Sequence, residues 1–439
     1  MIDWTAWCEE RGIRFLRLAW VDSGGVLRAE AVNARGLASI GTEGLPLASA
    51  IQVALPLDDL AEDEELNAVG QVWLVPDPES VQVIPWEPGH ARAMGFFVDA
   101  GGASWTHCPR GALRRAVETL AARGFALQAA FEHEFMLLRR ANPGFEHFED
   151  ASYASARSLD HAAPLLDRMA ESMESQGVLV RTFLKEAGRS QFEFSTQHGP
   201  VLQAADHFVI ARETIAAEAD RDGLIGTVLP LVYPLEAGNG WHLHFSLWRG
   251  EDNLTGRGTE LGPEARAFVA GVFDHLPALL ALTVPSPNSF HRIRPGAWCG
   301  SYRAWGYDHK EAPLRVPSER HGAPTNVELK SSDATANPYL SLVGVIAAGL
   351  DGLDRDLELP EPIDRDPALF SEEQRQSAGI EALPATLSEA LDALDADPVL
   401  LAALGEPLAR SYRAVKRAEI ASVEGLSLDE QIAQLVEVY

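Results

Sequence analysis

Two histidines and a serine alternate with apolar residues in one short stretch, and their spacing suits a β-strand. The segment WHLHFSLW places His242, His244 and Ser246 at every second position. Alternate residues of a strand share one face, so these polar groups point one way while the Trp, Leu and Phe side chains between them point the other. This pattern favours a ligand-binding strand, although a half-buried strand with a solvated polar face has the same alternation.

Glutamates recur in three other strand-like segments of the chain. They are Glu132 and Glu134 in FEHEF, Glu186 and Glu193 in KEAGRSQFEF, and Glu328 in NVELK. A carboxylate inside an apolar strand is costly to bury unless it is paired or bound to a metal. Together with His242, the five glutamates could supply two sites of three ligands each, and such carboxylate-rich sites suit Mg²⁺ or Mn²⁺. A surface salt bridge is the better explanation for any one of these glutamates alone, but it explains the whole set in apolar flanking sequence poorly.

Basic residues in the second half of the chain could hold anionic groups. The candidates are Arg292, Lys310, Arg315 and Lys330. Arginine forms bidentate contacts with phosphates and carboxylates, and lysine acts as a point charge. Two metal ions and several basic side chains suit phosphoryl transfer, and neither a Walker loop nor a dinucleotide fingerprint is present in the sequence. Nothing in the sequence lowers the pKa of Cys299, so we do not expect a cysteine nucleophile.

The elements that must position these residues alternate along the chain. We predict an α+β fold with a mixed or antiparallel sheet, curved into a cup and backed by helices. The 439 residues are too many for one ordinary core, and we place a domain boundary between residues 1–105 and 106–439. We also expect one continuous helix over residues 264–282, and a solvated loop over the acidic segment 58–65.

Composition excludes several classes of function. The formal net charge of −28 disfavours nucleic acid and anionic membranes as partners. No apolar run is long enough to span a bilayer, and the N-terminus lacks a signal-peptide pattern. The three cysteines are far apart, which indicates a reducing compartment and hence a cytoplasmic protein.

Six motifs in a fixed order resemble the glutamine synthetase superfamily, in particular its divergent branch of γ-glutamyl amide and γ-glutamylpolyamine synthetases. They are FEHEF, KEAGRSQFEFS, GNGWHLHFS, PNSFHRIRPG, APLRVP and VELKSSDATANPYL. The resemblance implies an N-terminal β-grasp domain and a C-terminal catalytic domain built on a curved antiparallel sheet. It also implies a homo-oligomer, often two stacked hexamers. The reaction would use ATP to phosphorylate the γ-carboxylate of glutamate or a related acid, after which an amine displaces phosphate.

The resemblance also assigns roles to individual residues. Glu134, Glu186 and Glu193 resemble the ligands of a first metal ion, and Glu132, His242 and Glu328 those of a second. His244 and Ser246 resemble contacts to the nucleotide, Arg315 a phosphate ligand, and Gly238 and Arg292 contacts to the amino-acid substrate. Lys310 and Lys330 stand where the family usually has a phosphate-binding and a carboxylate-binding arginine.

Two departures from the family pattern concern the amine. Ammonia users carry an aspartate in a segment that corresponds here to GLPLASAIQVALP, which has no acid. They also place a glutamate where this chain has Trp298. An indole cannot take a proton from ammonium, but it can pack on the carbon skeleton of a larger amine or stack on a cation. We therefore expect an organic amine as substrate.

Two alternatives remain open at this stage. The chain could be a glutamine synthetase with a rebuilt ammonium site. It could also be a non-catalytic scaffold of the same superfamily, although all six expected metal ligands are present.

Overall fold

The computed structural model describes residues 2–439, which form two main β-sheets and surrounding helices. The strands of the first sheet are β1 (Phe15–Val21), β2 (Leu27–Asn33), β3 (Leu45–Ala48), β4 (Gln71–Pro76), β5 (Gln82–Val83) and β6 (His90–Val98). Their order is β2-β1-β6-β4-β3, with β5 beside β6. Strands β1 and β6 run parallel, and the other pairs are antiparallel. The assignment of this part as a β-grasp domain ending at residue 105 remains a prediction.

The second sheet carries the predicted functional residues. Its strands are β7 (Ala126–Arg140), β8 (Phe145–His147), β9 (Val180–Lys185), β10 (Gln191–Thr196), β11 (Gly199–Pro200), β12 (Leu224–Thr227), β13 (Trp241–Arg249), β14 (Asp252–Asn253), β17 (Trp305–Tyr307), β18 (Leu314–Val316) and β19 (Val327–Leu329); β15 (Gly256–Arg257) and β16 (Glu260–Leu261) pair separately. The central order is β17-β18-β19-β13-β7-β10-β9, and only β17 and β18 pair in parallel among the described strands of this sheet. This curled sheet backed by helices confirms the predicted α+β fold.

Helices pack against both sheets: the first two pack with the first sheet, and most of the others pack with the second sheet or form the C-terminal part of the chain. They are α1 (Trp4–Glu10), α2 (Leu37–Glu43), α3 (Pro109–Ala122), α4 (Ala156–Ser175), α5 (Val201–Arg221), α6 (Pro263–Asp274), α7 (Leu276–Thr283), α8 (Ser289–Arg292), α9 (Pro338–Asp354), α10 (Glu372–Ser377), α11 (Leu387–Asp395), α12 (Pro398–Leu404), α13 (Glu406–Ser422) and α14 (Leu428–Leu435). Short 3-10 turns occupy Ala34–Gly36, Ser49–Val53, Pro78–Ser80 and Pro367–Leu369. Strands β7, β10, β12 and β13 share one large apolar core with α3–α7, α9 and α11–α14.

The predicted continuous helix over 264–282 is wrong. Helices α6 and α7 meet at His275 and are bent by 76°. Pro277 supplies the cause, because proline has no N–H for the helical ladder and its ring crowds the carbonyl four residues earlier. His275 fixes the bend by bonding Asp397 through Nδ1 at 2.6 Å and Asp351 through Nε2 at 3.0 Å.

The acidic segment 58–65 is solvated only in part, which corrects the second expectation. The Asp63 carboxylate is buried and pairs with Arg410 of α13 at 3.2 Å. Neighbouring Leu55 and Leu66 pack with Val415 of the same helix in a small apolar cluster. Apolar residues that flank the charges therefore hold the loop against the C-terminal helices.

A buried ion-pair network joins the first sheet to helices α3, α5 and α9. Arg110, at the start of α3, contacts Asp77 at 2.7 Å and Asp206 at 2.8 Å. The Tyr339 hydroxyl donates to Asp206 at 2.7 Å. The carboxylates of Asp77 and Asp206 share the one guanidinium, so both depend on Arg110 for compensation of their charge.

No single helix within residues 2–439 is long and apolar enough to cross a membrane. The pair α6 and α7 meets the length and composition criteria only jointly, across its bend.

Candidate active site

Strand β13 brings its histidines between carboxylates from two neighbouring strands. Its apolar residues Trp241 and Leu243 are buried in the core, as the alternation predicts. On the polar face, His242 lies opposite Glu132 of β7, and His244 lies opposite Glu328 of β19. Antiparallel pairing therefore places in one row side chains that are up to 196 positions apart in the sequence.

Four of the predicted carboxylates line one cavity of about 440 Å³. Glu132 and Glu134 come from β7, Glu193 comes from β10, where it pairs with Glu134, and Glu186 follows the end of β9. His242 lines the same cavity. The structure thus brings five of the six predicted metal ligands together at one end of the curved sheet.

The sixth predicted ligand, Glu328, lies directly behind this group. Its side chain is fully buried, and one of its oxygens lies 3.2 Å from Nδ1 of His242. The same nitrogen is 3.3 Å from Glu132, and Nε2 is 3.7 Å from Glu134. His242 therefore contacts carboxylates from both predicted sites.

His244 is a second candidate imidazole ligand beside Glu132 and Glu328. Ligand atoms of these three residues all lie within 4.8 Å of one another. However, Nδ1 of His244 contacts Asn326 at 2.8 Å, and His244 does not line the carboxylate cavity. We retain His242 as the expected ligand because it faces the carboxylate cluster directly.

Electrostatics indicate that the cluster lacks positive charge in proportion to its carboxylates. Burial and the nearby charges of Glu132, Glu134 and Glu186 raise the pKa of Glu193 to about 9. Burial and the charge of Glu134 also raise the pKa of Glu186. A divalent cation among these oxygens would remove both the repulsion and the desolvation cost, so the donor set fits Mg²⁺ or Mn²⁺.

The buried side chain of Gln191 supports the carboxylate cluster through hydrogen bonds. Three oxygens surround Nε2 of Gln191: one of Glu134 at 3.0 Å, the carbonyl of Gly238 at 3.0 Å and the side chain of Asn239 at 3.2 Å. Its own oxygen accepts the Gly188 N–H at 2.8 Å. Gln191 thereby joins β7, the Glu186 turn and the 238–240 loop. Gln191 lies two positions before Glu193 on β10, so both side chains share one strand face, but only the fold shows the three segments that Gln191 links.

Two glycines in the turn before β13 allow a close approach that a side chain would block. A Cβ on Gly238 would collide with the Pro230 carbonyl and crowd the Arg292 side chain. A Cβ on Gly240 would collide with the His242 ring, and the Gly240 N–H donates to Glu134 at 2.8 Å. The Gly-Asn-Gly turn therefore packs its backbone directly against the site.

Three of the predicted basic residues line the carboxylate cavity. Arg292 is 4% exposed and is anchored to the Ser332 carbonyl at 3.0 Å. Lys330 is 4% exposed and contacts Glu328 at 3.1 Å, and Lys310 is exposed. Lys330 and the two imidazoles offset the burial of Glu328 and hold its pKa well below the usual range.

Arg315 occupies a different position from the other three. It lines neither this cavity nor the neighbouring cavity beside His244, and it contacts Glu328 at 2.8 Å. The structure therefore places the Arg315 guanidinium behind the site, where it reaches a predicted metal ligand.

A second cavity, of about 360 Å³, opens on the other side of Glu132. His244 and Ser246 line it with Trp248 and Asn326. The Trp248 indole donates to the Ser246 hydroxyl at 2.8 Å. Glu132 is the carboxylate common to both cavities, so the predicted nucleotide residues lie next to the carboxylate cluster.

Cys299 is a structural residue, as its sequence context indicated. Its thiol is buried, and burial raises its pKa. The S–H donates to the Arg292 carbonyl at 3.2 Å. The thiol thus supports the backbone of a residue that lines the cavity.

A second group of metal-ligand type, Asp274, His275 and Asp351, lies away from both cavities. Both imidazole nitrogens already contact carboxylates, and Arg355 pairs with Asp274 and Asp351. The charges are compensated within the protein, so this group braces the α6–α7 bend.

Comparisons with known proteins identify the family. Residues 106–433 match the family described as "Glutamine synthetase, catalytic domain". The chain is 39% identical to the γ-glutamylpolyamine synthetase GlnA3 of Streptomyces coelicolor over 95% of its own length and 92% of that protein. The solved structure of a "novel glutamine synthase homolog" has a TM-score of 0.86 and 32% identity, and covers 97% of this chain and 99% of its own. A structure of GmaS with ADP has a TM-score of 0.87 and 28% identity over 98% of each chain. The chain therefore belongs to the glutamine synthetase family of ATP- and metal-dependent ligases.

Proposed function

We propose that this ligase forms a γ-glutamyl amide from glutamate and an organic amine. The γ-carboxylate of glutamate takes the terminal phosphoryl group of ATP, and ADP leaves. The amine nitrogen then attacks the acyl carbon, the C–O bond to phosphate breaks, and the amine proton passes to solvent. The observation that carries this proposal is one cavity that unites the carboxylates and His242 with Arg292, Lys310 and Lys330, with Trp298 at its mouth.

Six side chains would hold two divalent ions in this scheme. Glu134, Glu186 and Glu193 form the first set, and Glu132, His242 and Glu328 form the second. The bound Mg²⁺ or Mn²⁺ supplies neutralisation of the phosphate charge. Gln191 and the Gly240 N–H keep Glu134 oriented toward its set through their hydrogen bonds.

The remaining residues would position the two substrates of the first step. His244 and Ser246 contact the nucleotide in the second cavity, and Lys310 neutralises phosphate charge. Arg315, which the sequence predicted as a phosphate ligand, instead orients Glu328 from behind the site. Arg292, Lys330 and the Gly238 loop hold the amino acid. Orienting both reactants in adjacent cavities raises their effective concentration, which lowers the activation free energy by up to about 7–11 kcal/mol in well-oriented systems.

The organic-amine assignment rests on Trp298 and on the relative that is named a γ-glutamylpolyamine synthetase. Trp298 is 61% exposed at the mouth of the cavity, where an indole offers an apolar surface and no proton acceptor. We also propose a cytoplasmic homo-oligomer of two stacked hexamers. Light scattering should then give a particle of twelve chain masses.

Phosphate release with glutamate, ATP and a panel of amines tests the proposal. We expect an organic amine to exceed ammonia in kcat/KM. Turnover with ammonia that equals or exceeds every amine would favour a glutamine synthetase instead.

Isothermal titration with Mn²⁺ and a non-hydrolysable ATP analogue separates an enzyme from a scaffold. We expect both to bind, and the metal should strengthen nucleotide binding. A chain that binds neither ligand would be a non-catalytic member of the family.

A further inference from the structure

Arg294 ties two loops of the carboxylate cavity together. Its guanidinium donates through Nη1 to the Pro234 carbonyl and through Nη2 to the Glu236 carbonyl, both at 3.1 Å. The two carbonyls belong to the 228–240 loop before β13, whereas Arg294 belongs to the 293–300 loop after α8. Both loops line the cavity. Because the guanidinium is a planar fork with fixed donor positions, this contact sets the separation of the two loops as well as joining them.

The Glu236 side chain extends the same connection to the carboxylate cluster. Its carboxylate accepts from Nε of Arg189 at 2.7 Å and from the Arg189 backbone N–H at 3.2 Å, and it lies 3.1 Å from Nε2 of His147. Arg189 lies in the turn after Glu186, one of the expected ligands of the first metal ion. The 228–240 loop is therefore held between this turn on one side and the guanidinium fork on the other.

Other contacts hold the 293–300 loop at its base. The Cys299 S–H donates to the Arg292 carbonyl at 3.2 Å, and the Trp298 N–H donates to the Glu311 carboxylate at 3.0 Å. The φ angle of Trp298 is +56°, in the left-handed region that bulky side chains rarely adopt, so these contacts maintain a backbone conformation that is unfavourable by itself. A variant that loses only the fork should therefore keep this loop folded at its base.

We infer that Arg294 is a positioning residue, which keeps the two loops that contact glutamate at the separation that the reaction requires. This inference rests on the proposed ligase function. Gly238, an expected substrate contact, follows the two bridged carbonyls by a few residues, and Arg292 precedes the fork by two residues. Glutamate would thus be bound by both joined loops at once, and a change in their separation would weaken its binding.

The same fork controls the fate of the acyl phosphate. Either an amine or a water molecule can attack its acyl carbon. When water attacks, the C–O bond to phosphate breaks and glutamate, phosphate and a proton result, so ATP is cleaved without formation of an amide. A cavity whose walls are held together excludes water from a reactive intermediate. Arg294 therefore favours amide formation over hydrolysis, although it contacts neither product.

Arg294→Met tests this role, because it removes the fork and keeps an unbranched side chain. Hydroxylamine serves as the amine, since it converts the acyl phosphate to a hydroxamate that is measured beside phosphate. The unmodified protein should form both in equal amounts at saturating hydroxylamine. In Arg294→Met we expect phosphate to exceed hydroxamate at least about threefold. We also expect KM for glutamate to rise about tenfold, which corresponds to roughly 1.4 kcal/mol. A purely structural weakening would lower both products together and leave their ratio unchanged.

Two further variants separate the fork from other effects. Arg375→Met is the matched control, because Arg375 also donates to two backbone carbonyls, those of Pro367 at 3.3 Å and Phe370 at 2.8 Å, and lines neither cavity. This variant should keep the product ratio of the unmodified protein. Arg294→Lys keeps the positive charge but cannot bridge both carbonyls with a planar fork, so its ratio should lie between those of the unmodified protein and Arg294→Met.

The product ratio decides the outcome. An unchanged ratio in Arg294→Met, or the same excess of phosphate in Arg375→Met, would overturn the inference and leave the ligase function intact. An unchanged ratio in Arg294→Lys would also overturn it, since the charge alone would then be sufficient. If the unmodified protein forms no hydroxamate with glutamate and ATP, the proposed function fails and the inference fails with it.

Discussion

The carboxylate cluster is held by hydrogen bonds from buried groups, and substitution of Gln191, which donates to Glu134, tests how much it depends on them. Methionine at this position fills nearly the same volume but neither donates nor accepts a strong hydrogen bond. In Gln191→Met the buried Gly188 N–H loses its acceptor, and Glu134 keeps only the Gly240 N–H. An orphaned buried donor costs about 1–3 kcal/mol, and a lost bond to a charged group about 1.5–3 kcal/mol.

The loss of these hydrogen bonds should lower both the stability of the fold and the affinity for divalent metal ions. We expect the free energy of unfolding to fall by about 2–4 kcal/mol in urea titrations. We also expect Mn²⁺ affinity, measured by isothermal titration, to fall about 10–100-fold, as is typical when a partner of a metal ligand is removed.

Gln431→Met provides the control for losing a buried glutamine. Gln431 is 8% exposed on α14 and donates to the Leu426 carbonyl at 3.2 Å, far along the chain from the carboxylates. This variant should lose about 1 kcal/mol of stability and retain its Mn²⁺ affinity. If Gln191→Met binds Mn²⁺ as tightly as the unmodified protein, Gln191 serves the fold alone and the reasoning is refuted.

Three further changes probe the site and the framework that holds it. Glu134→Ala should abolish metal-dependent phosphate release while size-exclusion chromatography shows unchanged assembly; full turnover would remove Glu134 from the ligand set. Burial alone would lower the pKa of His275, but its two aspartate partners raise it above the usual value. The protonated imidazole therefore stabilises the folded protein fully at pH values below the unfolded pKa of about 6.5, and this stabilisation declines as pH rises through the folded pKa. His275→Asn should therefore cost about 2 kcal/mol at pH 6 and less at pH 9 in urea unfolding, and an equal cost at both pH values would contradict this. Arg110→Met should lower the free energy of unfolding by about 3–5 kcal/mol, because it leaves two buried carboxylates without compensation; a loss below 1 kcal/mol by the same assay would show that they find other partners.

The sequence was most informative where one strand carries both the core and the site. Alternation in WHLHFSLW predicted which side chains of β13 join the apolar core and which polar side chains line the cavities, because strand geometry alone determines that division. The pairing of β13 with β7 and β19 could not be read from alternation, since register between distant strands depends on the whole sheet. The family resemblance grouped Glu132, His242 and Glu328 as one ligand set, but it did not give the pairing or the register of their strands.

Features that depend on tertiary contacts were less predictable. Pro277 was visible in the sequence as a helix-breaking residue, yet the apolar periodicity across 264–282 favoured one helix. The burial of Asp63 depends on Arg410, which lies 347 positions later. The bonds of Gln191 involve three separate segments, and Arg315 proved to reach Glu328 from outside both cavities. In each case the partner is close in space and remote in sequence.

Glu132 forms part of the wall between two chambers, and this gives the enzyme a thermodynamic link between its ligands. An occupant of one chamber changes the field that an occupant of the other experiences through the shared carboxylate. In the proposed reaction glutamate occupies one of these cavities and nucleotide the other. Linkage then requires the effect to be mutual, so the factor by which glutamate would alter nucleotide affinity equals the factor by which nucleotide would alter glutamate affinity. Through this one side chain, either ligand can prepare the protein for the arrival of the other.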